Sequence, residues 1–259
     1  MPLSTLDTVA VDTSAARATS PIVTLDTPGR IRSRPPRHPL MSCVGAGDGG
    51  QRSNRTSYGP ESGNAPRNGK DYAMPKIAII LGSTRPGRNG EAVARWVFDI
   101  ARQRTDAEYE LVDVADYRLP LLDEAVPPSL GQYAQPHTRV WAEKIASFDG
   151  YVFVTPEYNH STSGALKNAI DFLYAEWNNK AAGFVGYGSA GGTRAVEHLR
   201  LVMAELQVAD VRAQVALSLF TDFENFSRFT PAEHQTEAVN TLLDQVVSWS
   251  NALATVRAV

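Results

Sequence analysis

A single cysteine occurs among the 259 residues. Cys43 lies outside any periodic stretch, so neither a disulfide framework nor a thiolate metal centre can be assembled. That scarcity is compatible with a reducing compartment, and a cytoplasmic location is expected. No apolar run reaches the length of a membrane span, which excludes a helical crossing of a bilayer. The Gly-Lys-Ser/Thr tripeptide of a Walker loop occurs nowhere. The five histidines, at 38, 137, 160, 198 and 234, show no ligand spacing, so no metal is expected.

Residues 1–73 are rich in Ser, Thr, Pro, Gly and Arg and show no helical or strand period. They are expected to be a disordered extension, or the product of a start placed too early, because Met74-Pro75-Lys76 stands directly before the first apolar run. This segment holds nine basic and six acidic residues against sixteen and twenty-two in the remainder, so the net charge changes sign at the boundary. A secretory signal is excluded because 1–20 has no apolar core. Arg30-Ile31-Arg32-Ser33-Arg34-Pro35-Pro36-Arg37 is sparse for a nucleic-acid arm, and no nucleic-acid partner is expected. Residues 74–259 are read as one domain.

That domain is organised around one stretch. Ile77-Ala78-Ile79-Ile80-Leu81 is apolar without alternation, as suits the centre of a parallel sheet covered on both faces. It breaks into Gly82-Ser83-Thr84-Arg85-Pro86-Gly87-Arg88-Asn89-Gly90, followed by a helix expected over 91–104. Free N–H groups and the positive end of the helix dipole would face this loop. Hydroxyls, an amide, glycines and two arginines suit a phosphate there, although the stretch taken alone also fits a plain strand-to-helix turn. Gly82, Gly87 and Gly90 do not have the dinucleotide spacing G-x-G-x-x-G.

Further strands are expected at 110–114, 151–154, 181–187 and 211–217, with a proline-rich loop over 116–128. Helices are expected at 136–147, with Val140, Trp141, Ile145 and Phe148 inward, at 165–177, from 193 to 207, and at 231–254. Trp96 reads as core or subunit contact. This alternation predicts an α/β fold, a single doubly wound five-stranded parallel sheet with helices on both faces. In such sheets ligands lie beyond the carboxyl ends of the strands. Three loops rich in small and polar residues project there: 82–90, Thr155-Pro156-Glu157-Tyr158-Asn159-His160-Ser161-Thr162-Ser163-Gly164, and Gly188-Ser189-Ala190-Gly191-Gly192-Thr193. The second suits a planar heterocycle with imide edges, and the third would let a ring lie against backbone. A phosphate joined to a planar ring by a sugar-like linker satisfies all three, and FMN is the simplest such molecule.

Gly82-Ser83-Thr84-Arg85, Pro156-Glu157-Tyr158-Asn159 and Gly188-Ser189-Ala190-Gly191-Gly192, with Gly164-Ala165-Leu166-Lys167-Asn168-Ala169-Ile170-Asp171, resemble the NADPH-dependent FMN reductase family. The resemblance runs from about 76 to 217. It implies a flavodoxin-like strand order 2-1-3-4-5 and non-covalent FMN. Ser83, Arg85, Asn89 and Gly90 would meet the phosphate. Pro156, Glu157, Tyr158 and Asn159 would surround the isoalloxazine with Ser189, Gly191 and Gly192. A serine often found late in the first loop is replaced around Arg88-Asn89, so either residue is a candidate phosphate contact. The implied activity passes hydride from NADPH or NADH through bound FMN to a flavin, quinone or similar small acceptor. No protein acid or base is required, so no catalytic side chain is expected. A homodimer or homotetramer is implied, with Trp177 and the stripe Phe220, Phe223, Phe226, Phe229 as candidate contacts. Core packing fits that stripe equally well.

Several residues admit plainer readings. His160 is expected to bridge loop backbone groups, Glu157 to hold donors in place, and Arg194 and Arg200 to be solvated on a helix face. A serine hydrolase is disfavoured because Tyr187 stands where the elbow G-x-S-x-G around Ser189 needs glycine. A non-catalytic FMN-binding electron carrier is disfavoured because the folded part is only mildly acidic.

Overall fold

A computed structural model describes residues 74–258. The expected disorder of 1–73, the basic cluster at 30–37 and Cys43 lie outside the described residues. The strands are β1 (Lys76–Leu81), β2 (Glu108–Asp113), β3 (Gly150–Pro156), β4 (Ala181–Gly188) and β5 (Ala209–Ser218). They alternate with helices α1 (Gly90–Ala101), α2 (Pro136–Ala146), α3 (Gly164–Asp171), α4 (Thr193–Glu205) and α5 (His234–Arg257). All five strands pair in parallel in the order β2-β1-β3-β4-β5, which is the flavodoxin-like order.

The run of apolar residues in β1 is explained by burial on both sides. Ile77, Ile79 and Leu81 pack with Val93 and Val97 of α1 and Leu242 and Val246 of α5. Ala78 and Ile80 belong to the opposite core, with Trp141 of α2, Leu166 of α3 and Leu199 of α4. Each such Ile or Leu contributes about 2 kcal/mol of burial. Gly183 in β4 lets α5 sit close, since a Cβ there would stand 2.7 Å from Leu242 Cδ1. Because α1 and α3 cover different faces, the connections leaving β1 and β3 at their carboxyl ends diverge. A crevice therefore opens above the carboxyl ends of these adjacent strands.

Three expectations need correction. Val140 is 58% exposed, while Trp141 and Ile145 are buried. It precedes Trp141 by one residue, about 100° around the helix, and so cannot share the inward stripe. Trp177 is fully buried rather than a contact surface. Its ring lies 4.9 Å from that of Tyr151, and its Nε1 donates to the Ile170 carbonyl at 3.1 Å. The helix expected to reach Trp177 ends at Asp171, where the chain tightens into three-residue turns such as Leu173 N–H to Ile170 C=O.

The phenylalanine stripe is a hairpin of β6 (Phe223–Glu224) and β7 (Arg228–Phe229). Phe223 and Phe229 pack together and against Tyr187 and Trp96, whereas Phe220 and Phe226 point outward, edge to face at 5.6 Å. Core and surface thus each take half of it.

Candidate functional site

The first loop leaves β1 under tight constraint. Gly82 N–H donates to the Val154 carbonyl at 2.9 Å, and the Gly82 carbonyl accepts from Ser163 Oγ at 2.5 Å. A Cβ at Gly82 would stand 2.7 Å from Leu166 Cδ2 and 3.1 Å from the Val154 carbonyl oxygen, so a side chain here would have to displace Leu166. Ser83 follows, fully buried, with Oγ 2.9 Å from the hydroxyl of Tyr158 in the second loop. Thr84, Arg85, Pro86 and Gly87 are exposed. Arg88 forms a two-pronged ion pair with Asp113 at the end of β2 and donates to the Ser83 carbonyl. It braces the loop from beneath. Asn89 precedes α1 without capping it, and its Nδ2 donates to the Phe226 carbonyl at 2.9 Å. The first-turn N–H groups of α1 therefore have no side-chain acceptor from the N-cap and face the loop.

The second and third loops are fastened to each other. Tyr158 and Ser161 exchange backbone hydrogen bonds at 2.9 and 3.1 Å around Asn159 and His160, both with positive φ. Asn tolerates that conformation better than most residues. Glu157 N–H donates to the Tyr187 carbonyl at 3.0 Å. The Glu157 side chain, 5% exposed, pairs with Arg194 and accepts from the Arg194 backbone N–H at 3.2 Å. The carboxylate thereby fills the N-terminus of α4, where Gly192 as N-cap offers no side chain.

Glu157 has the positioning job expected of it. Arg194 is not simply solvated, and His160 contacts a side chain rather than bridging backbone, with Nδ1 lying 3.3 Å from Arg194 Nη1. Arg200 pairs with Asp210 and donates to the Val211 carbonyl. Gly192, at φ 69°, turns so sharply that a Cβ would stand 2.5 Å from Tyr187 N. Gly191 is also buried with positive φ, while Ser189 is exposed.

Two features escape the sequence reading. Gly186-Tyr187-Gly188-Ser189-Ala190-Gly191 has the G-x-G-x-x-G spacing at a strand-to-helix turn, yet its helix end already holds the Glu157 carboxylate. The second is Tyr187 itself. Its hydroxyl is buried and has no hydrogen-bond partner among the described residues. Burial raises the phenol well above its ordinary range, and the neighbouring Tyr158 raises it further, while Ser83, Arg85 and Arg88 act in the opposite direction. A Cβ at Gly90 would stand 2.4 Å from this oxygen, so glycine at the start of α1 is a matter of room for Tyr187.

These features fit a phosphate monoester at the first loop. The end of α1 is open, a Cβ at Gly87 would meet nothing within 4 Å, and the unsatisfied Tyr187 hydroxyl lies against Gly90, the first residue of α1. A cleft of about 350 Å³ opens beside the loop, between Thr84, Arg118, Ala165 and Asn168. Among the described residues no helix is long and apolar enough to cross a membrane.

Residues 75–222 match the family model described as NADPH-dependent FMN reductase. The chain is 41% identical over 159 residues to an NAD(P)H-dependent FMN reductase of Nectria sp, covering 58% of this chain and 79% of that one. It is 36% identical over 137 residues to a quinone reductase of Escherichia coli strain K12, covering 51% and 70%. The flavoenzyme NAD(P)H:(acceptor) oxidoreductase of Paracoccus denitrificans superposes with a TM-score of 0.55 at 22% identity, covering 69% of this chain and 98% of that one, a likeness of fold. With the strand order and the family match in agreement, the chain belongs to the NADPH-dependent FMN reductase family.

Proposed function

We propose that this protein is an FMN-dependent oxidoreductase that takes electrons from NAD(P)H and delivers them to a flavin or quinone acceptor. The observation that carries the reading is the bonding of the three loops into one rim, Ser83 to Tyr158 and Glu157 to Arg194. The acceptor classes follow the names of the relatives, an FMN reductase and a quinone reductase.

In this reading Ser83, Arg85 and Gly90 with the open end of α1 hold the FMN phosphate. Arg85 supplies the charge, because Arg88 is committed to Asp113. Asn89 contributes from its place at the start of α1 while holding the hairpin tip through Phe226. Pro156, Glu157, Tyr158 and Asn159 border the ring on one side and Ser189, Gly191 and Gly192 on the other. The rigid turn at 158–161 presents backbone groups, and the glycines permit close approach. Bound FMN supplies the reversible two-electron chemistry. The chain's part is to bind, orient and exclude water.

Residues 74–259 are proposed to suffice for folding and FMN binding. Assembly into a homodimer or homotetramer is supported by the exposed Phe220 and Phe226 beside the first loop, and light scattering tests it. A cytoplasmic setting suits the NAD(P)H requirement. The test of function is anaerobic addition of NADPH to FMN-loaded protein, then of a quinone. Bleaching of the flavin band followed by its return, with repeated turnover, supports the enzyme. Reduction without turnover would leave an electron carrier instead.

A further inference from the structure

The Tyr187 hydroxyl is the described residues' most conspicuous unpaired group near the loops. It sits on β4, 95% buried, in a core whose other members are apolar, and Ser83 acts on it without meeting it in full hydrogen-bonding geometry. An unpaired buried hydroxyl is a standing cost unless some state of the molecule satisfies it. Two observations point to that state. The oxygen lies directly beneath Gly90, the first residue of α1, where a Cβ would approach it to 2.4 Å. The groups that act on its acidity are Tyr158, Arg85 and Arg88 through charge and Ser83 as a hydrogen-bonding side chain, all on the two loops assigned to FMN.

Ser83 has its own partner already, the Tyr158 hydroxyl at 2.9 Å, while the Arg85 N–H approaches Ser83 Oγ only at 3.5 Å. A hydroxyl has one proton to give and two lone pairs. If Ser83 gives its proton to a phosphate oxygen, a lone pair remains for another donor.

Resting on the FMN reading above, we propose that Tyr187 is a positioning residue for the FMN phosphate, donating its proton to Ser83 Oγ when Ser83 donates to the phosphate. The pair forms a two-step chain of hydrogen bonds ending on a dianion, and such chains strengthen cooperatively. The ligand chemistry selected is a phosphate monoester, not the ring.

The test measures affinities of the full chain for FMN and for riboflavin, which lacks the phosphate, by quenching of flavin fluorescence. Wild type, Tyr187→Phe, Ser83→Ala and the double variant are compared, with a thermal melt of each apo-protein. Tyr187→Phe is expected to weaken FMN five- to twentyfold and to leave riboflavin unchanged. Its apo-protein is expected to melt no lower than wild type, because the change removes an unpaired group. The double variant is expected to bind FMN no more weakly than Ser83→Ala alone. Unchanged FMN affinity in Tyr187→Phe, equal losses for FMN and riboflavin, or additive losses in the double variant would overturn the role of Tyr187 and leave the FMN site standing. If wild type itself fails to prefer FMN over riboflavin, the phosphate site fails and this role with it.

Discussion

The Tyr158 hydroxyl and Ser83 Oγ, 75 residues apart in sequence, lie 2.9 Å from each other. This bond joins the loop after β1 to the loop after β3 before any ligand enters. Tyr158→Phe and Ser83→Ala should each lower the apo-protein's stability by about 1 kcal/mol. In urea denaturation the double variant should lose little more than either single one. Fully additive losses would mean that the two hydroxyls do not act as a pair.

Glu157 and Arg194 should behave asymmetrically. The carboxylate is 5% exposed and the guanidinium 44%. Arg194→Met strands a buried charge, whereas Glu157→Gln leaves a cation that water can reach. The arginine variant is therefore expected to lose about 3 kcal/mol and the glutamate variant about 1. Thermal melts of both check the order.

The turn that closes the hairpin after β5 carries strain. Asn225 and Phe226 are its central residues, with φ of 50° and 57°, and Ser227 N–H closes it on the Glu224 carbonyl. Asn-Gly is the sequence such turns favour. Phe226→Gly should raise stability by about 1 kcal/mol, measured as a higher urea midpoint. A lower midpoint would mean that the exposed ring contributes more than the strain costs.

The carboxyl-edge chemistry is legible in the sequence to different depths. Strands β1 and β3 stand out because both faces are buried and their apolar runs are continuous. The loops at 82–90, 156–164 and 188–193 stand out because glycine, hydroxyl and proline cluster where a buried strand ends. Composition does not tell Arg85 from Arg88, since the partner that takes Arg88 is Asp113, contributed by a different strand. Tyr187 is invisible for a similar reason. As one more aromatic in a strand it looks like core, and only the position of Gly90 over its oxygen marks it. The hairpin at 223–229 is missed because Asn225-Phe226 lacks the glycine that announces such turns.

Lys180 lies at the opposite edge of the sheet. Its Nζ donates to the carbonyls of Ile145 and Ala146, at 3.1 and 3.2 Å, at the end of α2. Burial, with the Arg257 charge acting the same way, lowers its pKa from 10.5 to about 8. Between those two values the unfolded chain holds a proton that the folded one has released, so this group makes stability rise with pH from about 8 to 10.5. Below that window it costs about 3 kcal/mol. Wild-type stability should gain on that of Lys180→Met across the window, and parallel pH profiles would contradict the assignment.

The central claim is that residues 82–90, 156–159 and 188–192 together enclose one FMN. Hydrogen exchange of the full chain with and without FMN tests it most directly. The account predicts slowed exchange in all three segments at once, with the first turn of α1 included. Protection confined to one segment, or appearing away from this rim, would contradict it.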